Sequence, residues 1–189
     1  MQAIRVEALT KTFRVRRKEK GMRGSIKAIL RPQTEEIRAV HGVSFEVEEG
    51  EMLAFIGPNG AGKSPTIKML TGILYPDGGR VEVLGIDPTK KRRQLAYQIG
   101  TLFCQKEQLW THLTPYDNFR FFGAIYDIPD EEMEHRIGEL AERFELHEFI
   151  NTPVRNLSLG QRIRCEIVAS LIHRPKVLFL DEPTIGLDP

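Results

Sequence analysis

Cysteine is nearly absent. Cys104 and Cys165 are the only two in 189 residues, far apart and without the spacing of a metal site. That excludes a disulfide framework and a thiolate cluster, and reads as reduced thiols in a cytosolic protein. Long apolar runs are missing too: none reaches the roughly 18–20 residues that a membrane-spanning helix needs. The opening MQAIRVEALTKTF alternates and carries charge, which fits neither a signal peptide nor a transit peptide. Net charge is +1, so the molecule as a whole has no field to attract nucleic acid or anionic lipid, and no nucleic-acid partner is expected. Repeats and low-complexity segments are lacking. What remains, with 41% hydrophobic and 28% charged residues, is an ordinary globular chain long enough for one domain with a sizeable core.

Charge is unevenly placed along it. Between Lys11 and Arg38 ten Lys/Arg face three Glu, and between Asp127 and Ile150 nine Asp/Glu face two Arg. The basic stretch lies between two alternating segments, IRVEAL and VSFEVEE, each readable as a half-buried strand, and so looks like a long insertion with a short helix at Ser25–Leu30. Most such runs are solvated faces; a membrane-surface or subunit contact is the alternative. MLAFIG reads as a buried strand. IKMLTGIL after it reads as a helix with Ile67, Leu70, Ile73 and Leu74 on one face. YPDGG is a turn, and RVEVLG, IGTLFC and KVLFLD read as strands. Pro115–Phe149 is helical in pattern, with acidic residues early in the segment that begins at Asp130. Trp110, Phe119, Phe121 and Phe122 are expected to pack this helical layer. Arg162–His173 reads as a helix.

The chemistry is concentrated at Gly57-Pro58-Asn59-Gly60-Ala61-Gly62-Lys63-Ser64, which fits the pattern G-x-x-x-x-G-K-[ST] between a strand and a helix. Glycines are needed there because inward-pointing backbone amides must wrap a phosphate in conformations that side chains would block. The loop then feeds a helix N-terminus, whose unpaired amides and dipole favour an anion. Lys63 would neutralise β- and γ-phosphates and Ser64 would offer its hydroxyl to Mg²⁺. The bland alternative is a glycine turn followed by an exposed lysine. Val177–Glu182 is an apolar strand ending in two carboxylates, which alone would be a solvated strand end. Beside a phosphate loop, Asp181 can hold Mg²⁺ and Glu182 can act as general base on water.

With these residues in place the chain resembles the ABC ATPases, over its whole length. Leu157-Ser158-Leu159-Gly160-Gln161 is similar to the family signature LSGGQ, with Leu159 in place of the first glycine. Gln105 matches the Q-loop glutamine, Gly186-Leu187-Asp188 the D-loop, and Phe13 falls where the family stacks an aromatic ring on adenine. The basic insertion and LFCQKEQLW look like the subgroup that partners ABC-2-type exporters. The resemblance implies an α/β fold: a P-loop NTPase core with an antiparallel β region and an inserted helical subdomain. The expected division is 1–104 for the β region and P-loop core, 105–160 for the helical subdomain with Q-loop and signature, and 161–189 for signature helix, Walker B and D-loop. It further implies the cofactors ATP and Mg²⁺. Glu182 and Gln105 would be catalytic, with Ser64, Gln105 and Asp181 at the metal. Phe13, residues 57–65, Ser158, Gly160, Gln161 and Asp188 would lie on the nucleotide. Two copies would close head to tail, as a homodimer, so that Ser158 and the amide of Gly160 grip the γ-phosphate in the partner's site. The alternative for Ser158 is a plain helix N-cap.

The implied role is the ATPase subunit that couples ATP binding and hydrolysis to export by a separate transmembrane permease, cytoplasmic and peripheral on the inner face of the cell membrane. The rivals are a soluble non-transport ABC ATPase and a non-hydrolysing pseudo-subunit. Two departures bear on the last. The chain ends at Pro189, ahead of the strand that carries the family's switch histidine, so part of the fold is expected to be missing and binding is expected to exceed turnover. Pro65 stands where the family has Thr or Ser, and proline has no N–H to give a phosphate.

Overall fold

The computed structural model describes residues 2–16, 34–103 and 107–181, which form two compact units, Met1–Lys91 and Arg92–Pro189. The Ser25–Leu30 segment, Cys104, Gln105, Glu182 and the Gly186–Asp188 motif lie outside the described residues. Among those described, no helix is long and apolar enough to cross a membrane.

The first unit is built on an antiparallel sheet of order β2-β1-β3, with β1 at Gln2–Arg16, β2 at Thr34–Glu48 and β3 at Gly78–Val83. Period-two alternation gives it one buried face: Ile4 and Val6 of β1 meet Val47 and Phe45 of β2 on one side and Val83 and Val81 of β3 on the other. Leu9 and Val83 of the sheet, with Met69 and Leu70 outside it, are fully buried. Both long strands run deeper into the basic stretch than expected. Lys11–Arg16 pairs with Thr34–Val40, and Arg14 Nε bonds Glu36 Oε1 at 3.0 Å across the ladder. The charges there decorate strands instead of marking a loop.

The expected strand at 52–57 is not formed. Residues 51–58 belong to neither sheet, and Met52 and Ile56 are 95% and 94% exposed. A strand is stable only when its amides and carbonyls meet a neighbouring ladder, and apolar spacing does not supply one. Phe55 alone finds cover, edge-on to Phe45 at 5.4 Å.

Helix α1 covers Lys63–Leu70 and buries Ile67, Met69 and Leu70. It stops earlier than the apolar periodicity suggests. Gly72 N–H bonds Met69 O at 3.2 Å and Ile73 N–H bonds Lys68 O at 2.9 Å, the paired bonds of a Schellman stop. Ile73 therefore leaves the buried face and is 46% exposed.

In the second unit, α2 (Arg92–Ala96) precedes β4 (Ile99–Phe103), which pairs in parallel with β5 (Val177–Asp181), Ile99 opposite Val177 and Phe103 opposite Asp181. Between these strands lie α3 (Pro115–Ile125), α4 (Asp130–Arg143) and α5 (Leu159–Leu171). Helix α3 starts where Thr114 Oγ1 accepts from Asp117 N–H at 3.1 Å with Pro115 in the first turn, and α4 starts with Asp130, Glu131 and Glu132 against its N-terminal dipole. Met133, Ile137, Leu140 and Ala141 form the buried stripe of α4 and close with Phe119, Leu146, Phe149 and Val168 into one core. Cys165 is wholly buried in it, and burial pushes its thiol pKa up to about 12, so it packs as a neutral hydrophobe. Of the four aromatics expected in this layer, Phe119 is buried but Trp110 and Phe121 are not. These two rings pack on each other at 5.4 Å and stay 60% and 41% exposed.

Candidate functional site

The glycine loop ends against the sheet. Gly60 and Gly62 are left-handed (φ 85° and 86°), and a Cβ on Gly62 would lie 2.3 Å from the carbonyl oxygen of Ala39 in β2. No side chain fits there, so the loop lies directly on the hairpin. Gly62 caps α1 with no side-chain bond and no acidic residue follows in the first turn, which leaves the dipole's positive end without a built-in anion. Lys63 curls back into the loop, its Nζ donating to Gly57 O at 2.6 Å and Pro58 O at 3.0 Å, while Ala61 N–H bonds Pro58 O at 3.2 Å. The result is a closed, cationic, backbone-lined loop at a helix N-terminus. Its donor chemistry fits a polyphosphate. Pro65 sits at the third helical position, ahead of the first intrahelical bond, Thr66 N–H to Gly62 O at 3.0 Å.

The hairpin that the loop rests on also carries Phe13. Val40 of β2, beside Ala39, is paired with Lys11 of β1, and Phe13 faces Ile37. Phe13 is 36% exposed and Lys11 Nζ lies 5.8 Å from the centroid of its ring. Glycine loop and aromatic ring thus share one scaffold.

In the second unit the signature-like segment opens α5. Ser158 caps the helix: its hydroxyl accepts from Gln161 N–H at 3.2 Å, and Gln161 Oε1 accepts from Ser158 N–H at 2.9 Å. This reciprocal pair is a capping box, so the side chain of Gln161 is folded onto its own helix. Leu159 points out, 48% exposed. Ser158→Ala should lower the unfolding free energy by about 1 kcal/mol through loss of the cap. An unchanged urea midpoint would show that the box adds nothing.

Pattern reading missed the partner of this helix. Glu166, one face down from Arg162, is 6% exposed, and its Oε1 accepts from the N–H groups of Gln108 at 3.0 Å and Leu109 at 3.3 Å. Burial raises its pKa above the ordinary carboxylate range, against the pull of those two amides. Arg162 pairs with Glu107, so two rungs tie the helix to residues 107–109. A glutamate in a helical pattern carries no sequence signal of burial. Asp181, at the end of β5, is 8% exposed.

The comparisons agree with one another. The chain is 36% identical over 152 residues to the ABC transporter ATP-binding protein NatA of Bacillus subtilis, covering 80% of this chain and 62% of that protein. It is 40% identical over 152 residues to the daunorubicin resistance ATP-binding protein DrrA3 of Streptomyces coeruleorubidus, covering 80% and 48%. It therefore spans less than two thirds of the length of these relatives. Among solved structures, a dimeric post-hydrolysis ATP-binding cassette bound to ADP and Pi matches with a TM-score of 0.76 and 26% identity, over 98% of this chain and 76% of that one. The family model described as ABC transporter matches residues 40–185. From loop, fold and relatives together, the chain belongs to the ABC transporter ATP-binding family.

Proposed function

We propose that this chain is the ATP-binding and hydrolysing part of an ABC exporter, acting with a second copy and a separate membrane permease at the inner face of the cell membrane. The observation that carries this is the loop at residues 57–64, pressed onto β2 at Gly62 and closed around the ammonium of Lys63. In the proposed site, loop amides and Lys63 hold the β- and γ-phosphates of ATP, and Phe13 stacks on the base. Ser64, Gln105 and Asp181 have the hard oxygen donors suited to Mg²⁺, which would supply charge neutralisation on the phosphates. Glu182 takes the proton from the water that attacks the γ-phosphorus. Ser158, the Gly160 amide and Asp188 belong to the surface offered to the second copy. For Ser158 the support is the free end of a capped helix: its oxygen accepts from Gln161, and its O–H remains able to donate. The names of NatA and DrrA3 support the transporter setting.

The protein, co-expressed with its permease, should hydrolyse ATP. Glu182→Gln should cut kcat by at least about 100-fold while leaving Mg-ATP affinity within about twofold. A Glu182→Gln protein that turns over at the parent rate would remove the general base from this reading. Recovery of the protein on ribosomes, with no permease, would favour a soluble ABC ATPase.

A further inference from the structure

β3 gives out just where β1 reaches Phe13. The last pair between these strands is Thr10 with Gly78, so the next inward amide of β1, that of Thr12, has no strand partner in β3. A side chain supplies the missing rung. Asp77 Oδ2 accepts from Thr12 N–H at 2.7 Å, its Oδ1 accepts from Lys11 Nζ at 2.8 Å, and its own N–H donates to Thr10 O at 2.9 Å. One residue therefore holds three consecutive residues of β1. The turn can come this close because a Cβ on Gly79 would lie 2.4 Å from the carbonyl oxygens of Glu7 and Ala8, a contact only glycine avoids.

Lys11 is the link to the ring. Its side chain is only 14% exposed, fixed between the Asp77 carboxylate and the face of Phe13, 5.8 Å from the centroid. A cation held against one face of an aromatic ring fixes that ring's orientation and draws its electron density. Both effects favour stacking of a purine on the opposite face.

We propose that Asp77 and Lys11 are positioning residues for a purine base: Asp77 locks Lys11 beneath Phe13, and together they present the ring as a rigid platform. This rests on the reading of Phe13 as the base platform. The Asp77 carboxyl lies below the usual carboxylate range, chiefly through its bond to Lys11 and then through the Thr12 amide, so this carboxylate stays ionised at neutral pH.

The test separates the base from the phosphates. The full chain and its Phe13→Ala, Asp77→Ala and Lys11→Met variants are titrated calorimetrically with Mg-ATP and with Mg-tripolyphosphate at one salt concentration. Tripolyphosphate has no base, so its affinity reports the loop and the integrity of the fold. Each variant should lose roughly fivefold in affinity for ATP and keep its affinity for tripolyphosphate. Equal losses for both ligands in Asp77→Ala and Lys11→Met would mean that the pair acts only through the fold, and would overturn the proposal. If Phe13→Ala alone shows the selective loss, the platform stands and the roles of Asp77 and Lys11 fall. If Phe13→Ala shows no selective loss, the platform reading itself fails. Should Asp77→Ala not fold, Lys11→Met, which keeps the aliphatic stem, still decides.

Discussion

In the Lys63→Ala variant, Mg-ATP should no longer raise the melting temperature. For the parent chain, ligand at about 100 times its dissociation constant contributes about 2.7 kcal/mol, which in a domain of this size is roughly 5–10 °C. Lys63 is the cation of the loop, donating to the carbonyls of Gly57 and Pro58 at 2.6 and 3.0 Å. Those bonds are exposed, so their removal should change the ligand-free melting temperature by only a degree or two, whereas a triphosphate brought to a loop without its ammonium loses its principal counter-charge. The measurement is a pair of thermal scans with and without Mg-ATP. A shift of equal size in parent and variant would show that nucleotide binds elsewhere.

Pro65→Thr should work in the opposite direction, tightening Mg-ATP by roughly 10–100-fold. The helix itself loses nothing by having proline here. With Gly62 as cap, Pro65 is the third helical residue, and the first amide to close an intrahelical bond is that of Thr66. Ser64 stays helical despite the proline after it, against the usual preference of that position. What proline removes is an N–H at the end of the helix that faces the loop, and threonine restores it with a hydroxyl besides. A hydrogen bond to a charged phosphate oxygen contributes about 1.5–3 kcal/mol, which is the stated range of affinity. Calorimetric titration of both proteins at one salt concentration checks it. Equal affinities, or tighter binding by the proline form, would mean that the loop meets the phosphates without a donor at this position.

The sequence made these two residues visible because the glycine loop is a local device, written in eight consecutive residues that include Lys63 and are followed at once by Pro65. Strands β3, β4 and β5 were equally legible, since alternation or unbroken apolarity coincided with real ladders. The same rule misled at 52–57, where the apolar run has no ladder to join. It also stopped short at Lys11–Arg16, where charged residues hid a true strand. The Schellman stop after Leu70 was written in Gly72, but the apolar residues beyond it drew the helix onward. Asp77 with Lys11, and Glu166 with Gln108 and Leu109, were invisible for a different reason. They join residues 66, 58 and 57 positions apart, and neither pattern nor propensity encodes such a meeting. The exposure of Trp110 and Phe121 was hidden likewise, because an aromatic residue at helical spacing looks the same whether its neighbour is core or solvent.

The pairing of β4 with β5 has a consequence in time. Phe103 and Asp181 are register partners, yet every residue of α3, α4 and α5 is synthesised between them. Closing so long a loop on an unstructured chain is entropically costly, and each strand alone is an unsatisfied edge. The helices shorten the gap only once they have folded, and their core joins residues between Leu109 and Ile172, all closer in sequence than the two strands are to each other. The topology therefore sets an expected order: the helical layer condenses first and carries Val177–Asp181 back to β4. Until the ribosome has released β5, β4 lacks this partner, and a slow step there would leave its edge open to aggregation during synthesis.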